Sequence, residues 1–486
     1  AFHILENTTA SGGESGNEVF AFYPQEMLKN IAFRKEDTEP ATKMRYGVDG
    51  PPVAFLVDKN GDGNIRADGG DEAYVYFGLR RGGRSIFALN VSDPQQTPKL
   101  QWKISPTNGG DFDGLGLTFS KPVVGKVRFG GGLTDVVIFA GGYNGGWNKT
   151  YTQRVGKDLG TSPDNDIGTA IYIVNARSGE LIWKATGGNG VATANVFMHP
   201  GLVDSIPSAV APVISPNGVI HRLYVGDSGG AVWRVDLPEL HSDLRASKWF
   251  ISKLAELGND GVTAASDRRF FHAPDIVETF DENGSFEGVV ISSGDRAHPN
   301  ETVVNNYHFY LKDRLTTSGD SAVRSRIPIT AHDTPVPGDL PDQTLCVTGS
   351  EAECSGTLPN GWKIRLQRPG EKGLSSALVT DGNVYLTTFF PSGSSAGCAP
   401  KGGGGQVYIV KLANGAATYG TRVFDLGPGI PTGASTLGQS ILLPGPGVVP
   451  GTGPDIKSPP CKGKLCSIAT KTIYPLYWRQ PGIDDL

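Results

Sequence analysis

The chain has 486 residues, including 67 glycines and 34 prolines, with 38% hydrophobic and 19% charged residues and a formal net charge of −5. That balance excludes a phosphate-neutralising nucleic-acid surface, stays short of the roughly 25–30% Gly and Pro of disordered sequence, and contains no run near the roughly 20 apolar residues that cross a bilayer as a helix. A turn-rich folded protein remains, long enough for several domains or for one large all-β unit.

The chain opens inside an apolar run, Ala1-Phe2-His3-Ile4-Leu5, with no initiator methionine. This reads as a piece or processed form of a longer protein whose targeting sequence lies upstream. A strand-like Val19-Phe20-Ala21-Phe22-Tyr23 follows, then a short helical candidate over Gln25–Asn30. Pro52–Val57 and Ala73–Phe77 are β-branched and aromatic runs that predict strands. Between them lies Asp58-Lys59-Asn60-Gly61-Asp62-Gly63-Asn64, which sets oxygen side chains at alternate positions around glycines that permit a tight turn. Calcium takes roughly 6–8 oxygen ligands, and loops of this kind supply them from positions 1, 3 and 5, a carbonyl at 7 and a later carboxylate. The predicted ligands are Asp58, Asn60, Asp62, the carbonyl of Asn64, and Asp71. Position 12 of a helix-flanked calcium loop is Gly69 here, so the closing acid is taken as Asp71, delivered by Gly69-Gly70, over Asp68. The competing reading is a solvated turn, since Asn, Gly and Asp are also the commonest turn formers.

A recurrent unit runs down the chain: aromatic and aliphatic residues ending in Asp or Asn, a Gly-containing turn, then a Trp-Lys strand. Ile86–Asn90 leads to Gln101-Trp102-Lys103, and Ile171–Asn175 leads through Ser178-Gly179-Glu180 to Ile182-Trp183-Lys184. Weaker copies are Val232–Asp236, Phe309–Asp313 and Val407–Lys411 with Asn414-Gly415; Val19–Tyr23 is a possible further one. Copies recur at about 70 residues, longer than the roughly 40–50 of a compact propeller blade, so loops are inserted. Short alternating strands repeated radially predict an all-β, modified β-propeller occupying 1–486 as a single domain. A β-sandwich pair is the alternative architecture. Helical pattern is scarce, with Ser252–Leu257 the second short candidate. The Gly/Pro-dense 426–460 is expected to be a surface excursion or linker.

Gly226-Asp227-Ser228-Gly229-Gly230 spells the nucleophile loop of trypsin-like proteases, but it falls inside a predicted hairpin, Leu223–Val225 to Ala231–Asp236, with no histidine in a matching setting. Asp111-Phe112-Asp113 and Asp164-Asn165-Asp166 are acidic pairs expected to be solvated. Gly402–Gly405 lacks the Ser/Thr of a phosphate loop. All five cysteines follow residue 345. Cys346/Cys354 and Cys461/Cys466 each enclose a short loop, which favours local disulfides and an oxidising compartment over zinc, with Cys398 left over.

Taken together, several segments resemble the C-terminal β-propeller domain of the PilY/PilC family of type IV pilus biogenesis and tip-adhesin proteins. They are Tyr46–Val53, Tyr76-Phe77-Gly78-Leu79-Arg80-Arg81-Gly82-Gly83-Arg84, Thr118–Val124, Phe139–Asn144, Leu223–Asp227 through Trp233–Leu237, and Val384–Phe389. The resemblance implies a modified propeller of about seven blades and explains the Gly-Asp-Ser-Gly-Gly hairpin as a non-catalytic family element. It further implies export through the periplasm to the pilus tip or outer cell surface, and calcium-dependent control of pilus extension and retraction in twitching motility. Pilins and minor pilins are the implied partners, with attachment to host cells or abiotic surfaces and an upstream von Willebrand-like region. Relatives carry a calcium loop just before the Leu-Tyr-Val-Gly-Asp hairpin; here Val213–His221 lacks its carboxylates, so no calcium is expected there.

The chain is therefore expected to be a binding protein and no enzyme. Two rivals are a quinoprotein-like dehydrogenase, whose propellers use similar Trp-Lys repeats but often need a vicinal Cys-Cys pair absent here, and a glycan-binding lectin using Tyr143 and Trp147.

Overall fold

The structure, a computed structural model, describes residues 1–6, 13, 15–28, 30–31, 35, 46–145, 167–237, 248–258, 264–316, 320–334, 336–348, 354, 356–392, 402–437 and 440–443. They divide into two compact units, one of residues 1–254 with 324–326, the other of 255–323 and 327 onward. Almost every regular element is a strand, and the one α-helix bounded among the described residues is the five-residue Asp320–Arg324.

Among the described residues, the first unit carries three sheets of at least four strands, besides the two-stranded pair Phe2–Leu5 and Glu18–Phe22. The first orders Val53–Val57, Glu72–Gly78, Ile86–Asn90 and Lys99–Ile104. The second runs from Val123–Phe129 through Gly132–Ala140, Ala170–Asn175 and Leu181–Gly187 to the parallel strand Val196–His199. The third places Ala211–Ile214, Ile220–Gly226, Ala231–Asp236 and Phe250–Glu256 side by side. In the second unit, a fourth sheet joins Asp275–Asp281, Gly284–Ser292, Tyr307–Asp313 and Gly361–Arg365. The fifth is built on Asn383–Pro391, Gly403–Lys411 and Val423–Pro428. Successive strands pair antiparallel with their chain neighbours, the meander that β-branched runs separated by tight glycine turns favour.

The two clear repeats and the three weaker ones all occupy the same place, the third strand of their sheets: Ile86–Asn90, Ala170–Asn175, Ala231–Asp236, Tyr307–Asp313 and Gly403–Lys411. Those strands are buried along nearly their whole length, so their residues fill the layers between sheets. One layer packs Tyr74, Tyr76 and Trp102 of the first sheet against Phe139 and Tyr172 of the second; another packs Ile138 and Trp183 of the second against Leu223 and Trp233 of the third. In the second unit, Tyr310 and Trp362 meet Val384 and Tyr408 in the same way.

The Trp-Lys and Gly-turn halves of the repeat serve one contact. Trp102 Nε1 donates to the Ala176 carbonyl at 3.0 Å, and Gly179 lies so close that a Cβ there would sit 2.9 Å from the indole. Trp362 Nε1 donates to the Leu412 carbonyl at 2.8 Å, and a Cβ on Gly415 would lie 3.5 Å from its ring. In both cases a tryptophan on the last strand of one sheet docks on the hairpin turn of the next, three residues before a positive-φ glycine.

Four expectations change. Ser252–Leu257 is mostly strand, not helix: Phe250, Ile251, Ser252, Leu254 and Ala255 are buried on both faces, and sheet pairing with two-sided burial overrides the helix propensity of Lys, Leu, Ala and Glu. Val19–Tyr23 starts no four-stranded copy. Its strand, Glu18–Phe22, pairs with Phe2–Leu5 and covers the outer face of the first sheet, with Phe2 stacked on Phe77 at 4.7 Å and Phe22 edge-on to Phe87 at 5.4 Å. The stretch expected as an excursion from residue 426 begins inside Val423–Pro428, with Leu426 buried; an outer strand tolerates its Gly and Pro because one edge needs no ladder partner. Residues 444–460 lie outside the described residues. The Gln25–Asn30 candidate becomes a 3-10 turn, Gln25–Met27, with Met27 buried.

Candidate metal-binding loop

Val53–Val57 and Glu72–Gly78 are antiparallel neighbours with Val57 opposite Glu72, so the acidic segment is a hairpin connection on the first sheet, as its flanking runs predict. Its side chains fold inward onto its own backbone. Asp58 Oδ1 and Oδ2 accept from the amides of Gly61 and Gly63 at 2.7 and 2.8 Å. Asn60 Oδ1 accepts from Asp62 N at 2.9 Å, and Asp62 Oδ1 from Asn64 N at 2.7 Å. Gly61 and Gly63 take positive φ, which lets the chain coil this tightly.

Asp71 closes the neck. Its carboxylate is 3% exposed and accepts from Arg66 N and Lys59 N, both at 2.9 Å. These backbone donors, Arg66 first, hold its carboxyl below the usual range and keep it ionised. Asp68 is exposed on the 3-10 turn Ala67–Gly69. A Cβ on Gly69 would lie 3.1 Å from Asn60 Nδ2 and 3.2 Å from Asp71 Oδ2, so glycine there lets the Asn60 side chain and the closing acid approach each other. The structure thus brings Asp58, Asn60, Asp62, Asn64 and Asp71 into one loop. The three carboxylates do not all lie within 4.8 Å of one another. A donor set made only of carboxylate, amide and carbonyl oxygens suits a hard cation.

Sequence reasoning missed what anchors this loop to the second sheet. Lys59 Nζ pairs with Glu72 Oε1 at 2.8 Å, and Arg177, 105 residues further along, bridges Glu72 Oε2 at 2.6 Å and Asp135 Oδ2 at 2.8 Å. Burial pushes Glu72 up, but the hydrogen bonds from Lys59 and Arg177 outweigh it and hold its carboxyl low. Asp135 is held low likewise, by Lys126 and Arg177 against its burial. No local spacing could have announced a network whose members meet only when the sheets stack.

The other motifs resolve as structure. Asp227 is buried at the centre of the Gly-Asp-Ser-Gly-Gly turn, accepting from Gly229 N, Ala231 N and Trp233 Nε1 at 2.9, 2.8 and 2.7 Å; Ser228 Oγ meets Ser205 Oγ at 2.9 Å. The turn inside Val213–His221 is closed by Ser215 Oγ donating to the Val219 carbonyl at 2.8 Å. The Asp111 carbonyl accepts from Lys184, and Phe112 packs on Tyr172 at 5.2 Å, so that acidic pair belongs to an inter-strand turn. Tyr143 is 7% exposed and edge-on to Phe119, so it is a packing residue rather than the surface aromatic a lectin site requires. Trp147, the acidic pair at 164–166, Cys398, Cys461 and Cys466 lie outside the described residues. Cys346 and Cys354 are disulfide-bonded, with Cα atoms 4.8 Å apart. No helix among the described residues is long and apolar enough to cross a membrane.

The chain is similar to known proteins in the same sense. Residues 17–290 match the PilY1 beta-propeller domain. A type IV pilus biogenesis factor PilY1 homolog of Xylella fastidiosa is 25% identical over 421 residues, which is 84% of this chain and 25% of that protein. The type IV pilus biogenesis factor PilY1 of Pseudomonas aeruginosa is 28% identical over 293 residues, 58% of this chain and 20% of that protein. The chain therefore spans a quarter or less of the curated relatives it matches. The crystal structure of the Pseudomonas aeruginosa PilY1 C-terminal domain superposes with a TM-score of 0.54 at 20% identity, covering 83% of this chain and 76% of that one, which supports the shared fold. With more than half its length under the family match and its repeats stacked as β-sheets, the chain belongs to the PilY1 β-propeller family.

Proposed function

We propose that this chain is the calcium-binding propeller region of a non-enzymatic type IV pilus assembly factor, carried at or near the pilus tip, that regulates extension against retraction and attaches to host-cell or abiotic surfaces. The observation that carries the reading is the oxygen-lined hairpin of Asp58, Asn60, Asp62, Asn64 and Asp71 on the first sheet of a PilY1-family propeller. The names of the relatives support the pilus setting. Asp62 stands in an exposed limb that starts at the half-buried Asp58, while Asp71 is fixed at the neck. Calcium would draw that limb in, neutralise carboxylates that otherwise repel one another, and stiffen the clasp that Glu72 and Arg177 form with the second sheet. Pilins and minor pilins are the proposed partners.

Two experiments test the two halves separately. Calorimetric titration with calcium should give one saturable site that Asp58→Asn, Asp62→Asn or Asp71→Asn each weaken at least tenfold; an unchanged isotherm in all three removes the site. Deleting the gene for the whole protein should abolish surface pili and twitching, and wild-type piliation would refute the assembly role. An absorbance scan of the purified protein for a bound quinone tests the dehydrogenase alternative.

A further inference from the structure

The second unit holds a polar cleft of about 400 Å³ that no motif announced. Its wall includes Asn305, Tyr307, Asp342, Thr344, Arg365 and Arg368. Arg365 and Arg368 are both exposed, and neither makes an ion pair among the described residues. Arg365 is aimed by one hydrogen bond, from Nη2 to Asn305 Oδ1 at 2.7 Å, while Arg368 lies over the Phe390 ring with its guanidinium carbon 4.0 Å from the centroid. Asn305 is itself held by donating to Asp333 Oδ2 at 3.2 Å, and Asp333 also accepts from the Tyr307 hydroxyl and the buried Arg268. The arginine that points outward is thus set on a rigid, satisfied platform. Asp342 is exposed and uses Oδ1 to accept from Thr344 N at 2.8 Å.

The backbone around the cleft is already committed. Lys363 N donates to the Pro341 carbonyl, Arg365 N to Thr344 Oγ1, Leu366 N to the Asn306 carbonyl and Arg368 N to Glu371. A peptide therefore finds no ladder to extend along this edge. Recognition falls to side chains: two planar guanidiniums suited to bidentate carboxylate binding, with a carboxylate and a hydroxyl beside them that can exchange hydrogen bonds with ligand hydroxyls. The volume falls in the ordinary range of small-ligand sites, about 300–1,000 Å³.

We propose that this cleft binds an acidic saccharide, its carboxylate met by Arg365 and Arg368 and its hydroxyls by Asp342 and Thr344. The inference gives the attachment role above a ligand class and rests on that reading for its biological setting, while the binding itself stands on the cleft alone.

Purified protein titrated with sialyllactose and with a glucuronate-terminated disaccharide should bind at least one of them saturably, and lactose at least tenfold more weakly. Arg365→Ala and Arg368→Ala should each weaken binding at least fivefold and together abolish it, and Asp342→Asn should weaken it with no change in melting temperature. Because Arg365 and Arg368 are exposed and outside any ion pair, folding should survive; should Arg368→Ala unfold, Arg368→Gln and Arg365→Gln provide the same comparison. Binding of lactose as tight as of the acidic sugars, binding indifferent to both arginines, saturable binding of a carboxylate-terminated peptide alone, or no binding at all would each overturn the proposal. Failure here leaves the calcium isotherm of Asp58 and Asp71 untouched, so the two readings fail separately.

Discussion

His308 shows how burial writes pH dependence into a single side chain. It sits on the third strand of the fourth sheet with no exposure, its Nδ1 2.6 Å from Ser292 Oγ, its ring edge-on to Tyr408 at 4.7 Å, and its Nε2 without a hydrogen-bond partner. Burial first, then the nearby Arg422 charge, pushes its pKa from 6.5 down to about 3. The folded protein therefore binds this proton less readily than the unfolded chain does. Above pH 6.5 both states are neutral and nothing is lost; as pH falls from 6.5 toward 3 the unfolded state gains a proton that the fold refuses, so stability drops. Between pH 7 and pH 4 the expected loss is on the order of 3 kcal/mol. Urea midpoints measured at both pH values should show this fall, and His308→Gln should flatten it; an equally steep fall in the variant would assign the acid sensitivity elsewhere. None of this was legible in the sequence, where His308 is one of eight histidines with no distinguishing neighbours.

At the scale of elements, the tryptophan dock turns a repeat into a stack. The sequence shows Trp-Lys strands and Ser-Gly or Asn-Gly turns as separate halves of a unit; the structure shows that the Trp of one copy serves the turn of the next. Gly179→Ala should destabilise by roughly 2–3 kcal/mol, because the new Cβ would sit 2.9 Å from Trp102 on a residue held at φ +75°. Chemical denaturation reads this directly, and Trp102→Ala in the Gly179→Ala background should cost less than the sum of the single changes. A second element, the Cys346–Cys354 bridge, closes a short loop directly after Gln343 and Thr344, whose carbonyls, with that of Cys346 at the loop's start, accept from the buried Arg422. Chain entropy for so short a loop gives about 2.5 kcal/mol, so Cys346→Ser or reduction should lower the unfolding free energy by about that much. If Arg422 alone holds the loop, reduction will leave the midpoint unmoved.

For the whole molecule, calcium should act as a folding ligand. At 100 times its dissociation constant it adds about 2.7 kcal/mol to unfolding, which for a unit near 250 residues corresponds to roughly 5–10 °C in melting temperature. Differential scanning with calcium and then with chelator should show the rise and its reversal, and Asp58→Asn with Asp62→Asn should abolish both. A melting temperature indifferent to calcium in the unaltered protein would leave the loop as a turn held by its own hydrogen bonds.

The sequence by itself determined the class and the repeat. Period-two apolar strands, glycines where only positive φ will turn the chain, and alternating oxygen side chains at Asp58, Asn60 and Asp62 are local properties, and local properties survive without coordinates. It also placed the two clear and three weaker repeat copies on strands, because a largely buried third strand needs a mostly apolar run. Tertiary structure alone decided that Ser252–Glu256 extends as a strand, that Tyr143 is packed inside, that Arg177 clasps Glu72 to Asp135, and that Arg365 and Arg368 flank one cleft. Each of those depends on which distant surface a residue meets, and burial, charge pairing and sheet register are settled only when residues tens to a hundred positions apart come into contact.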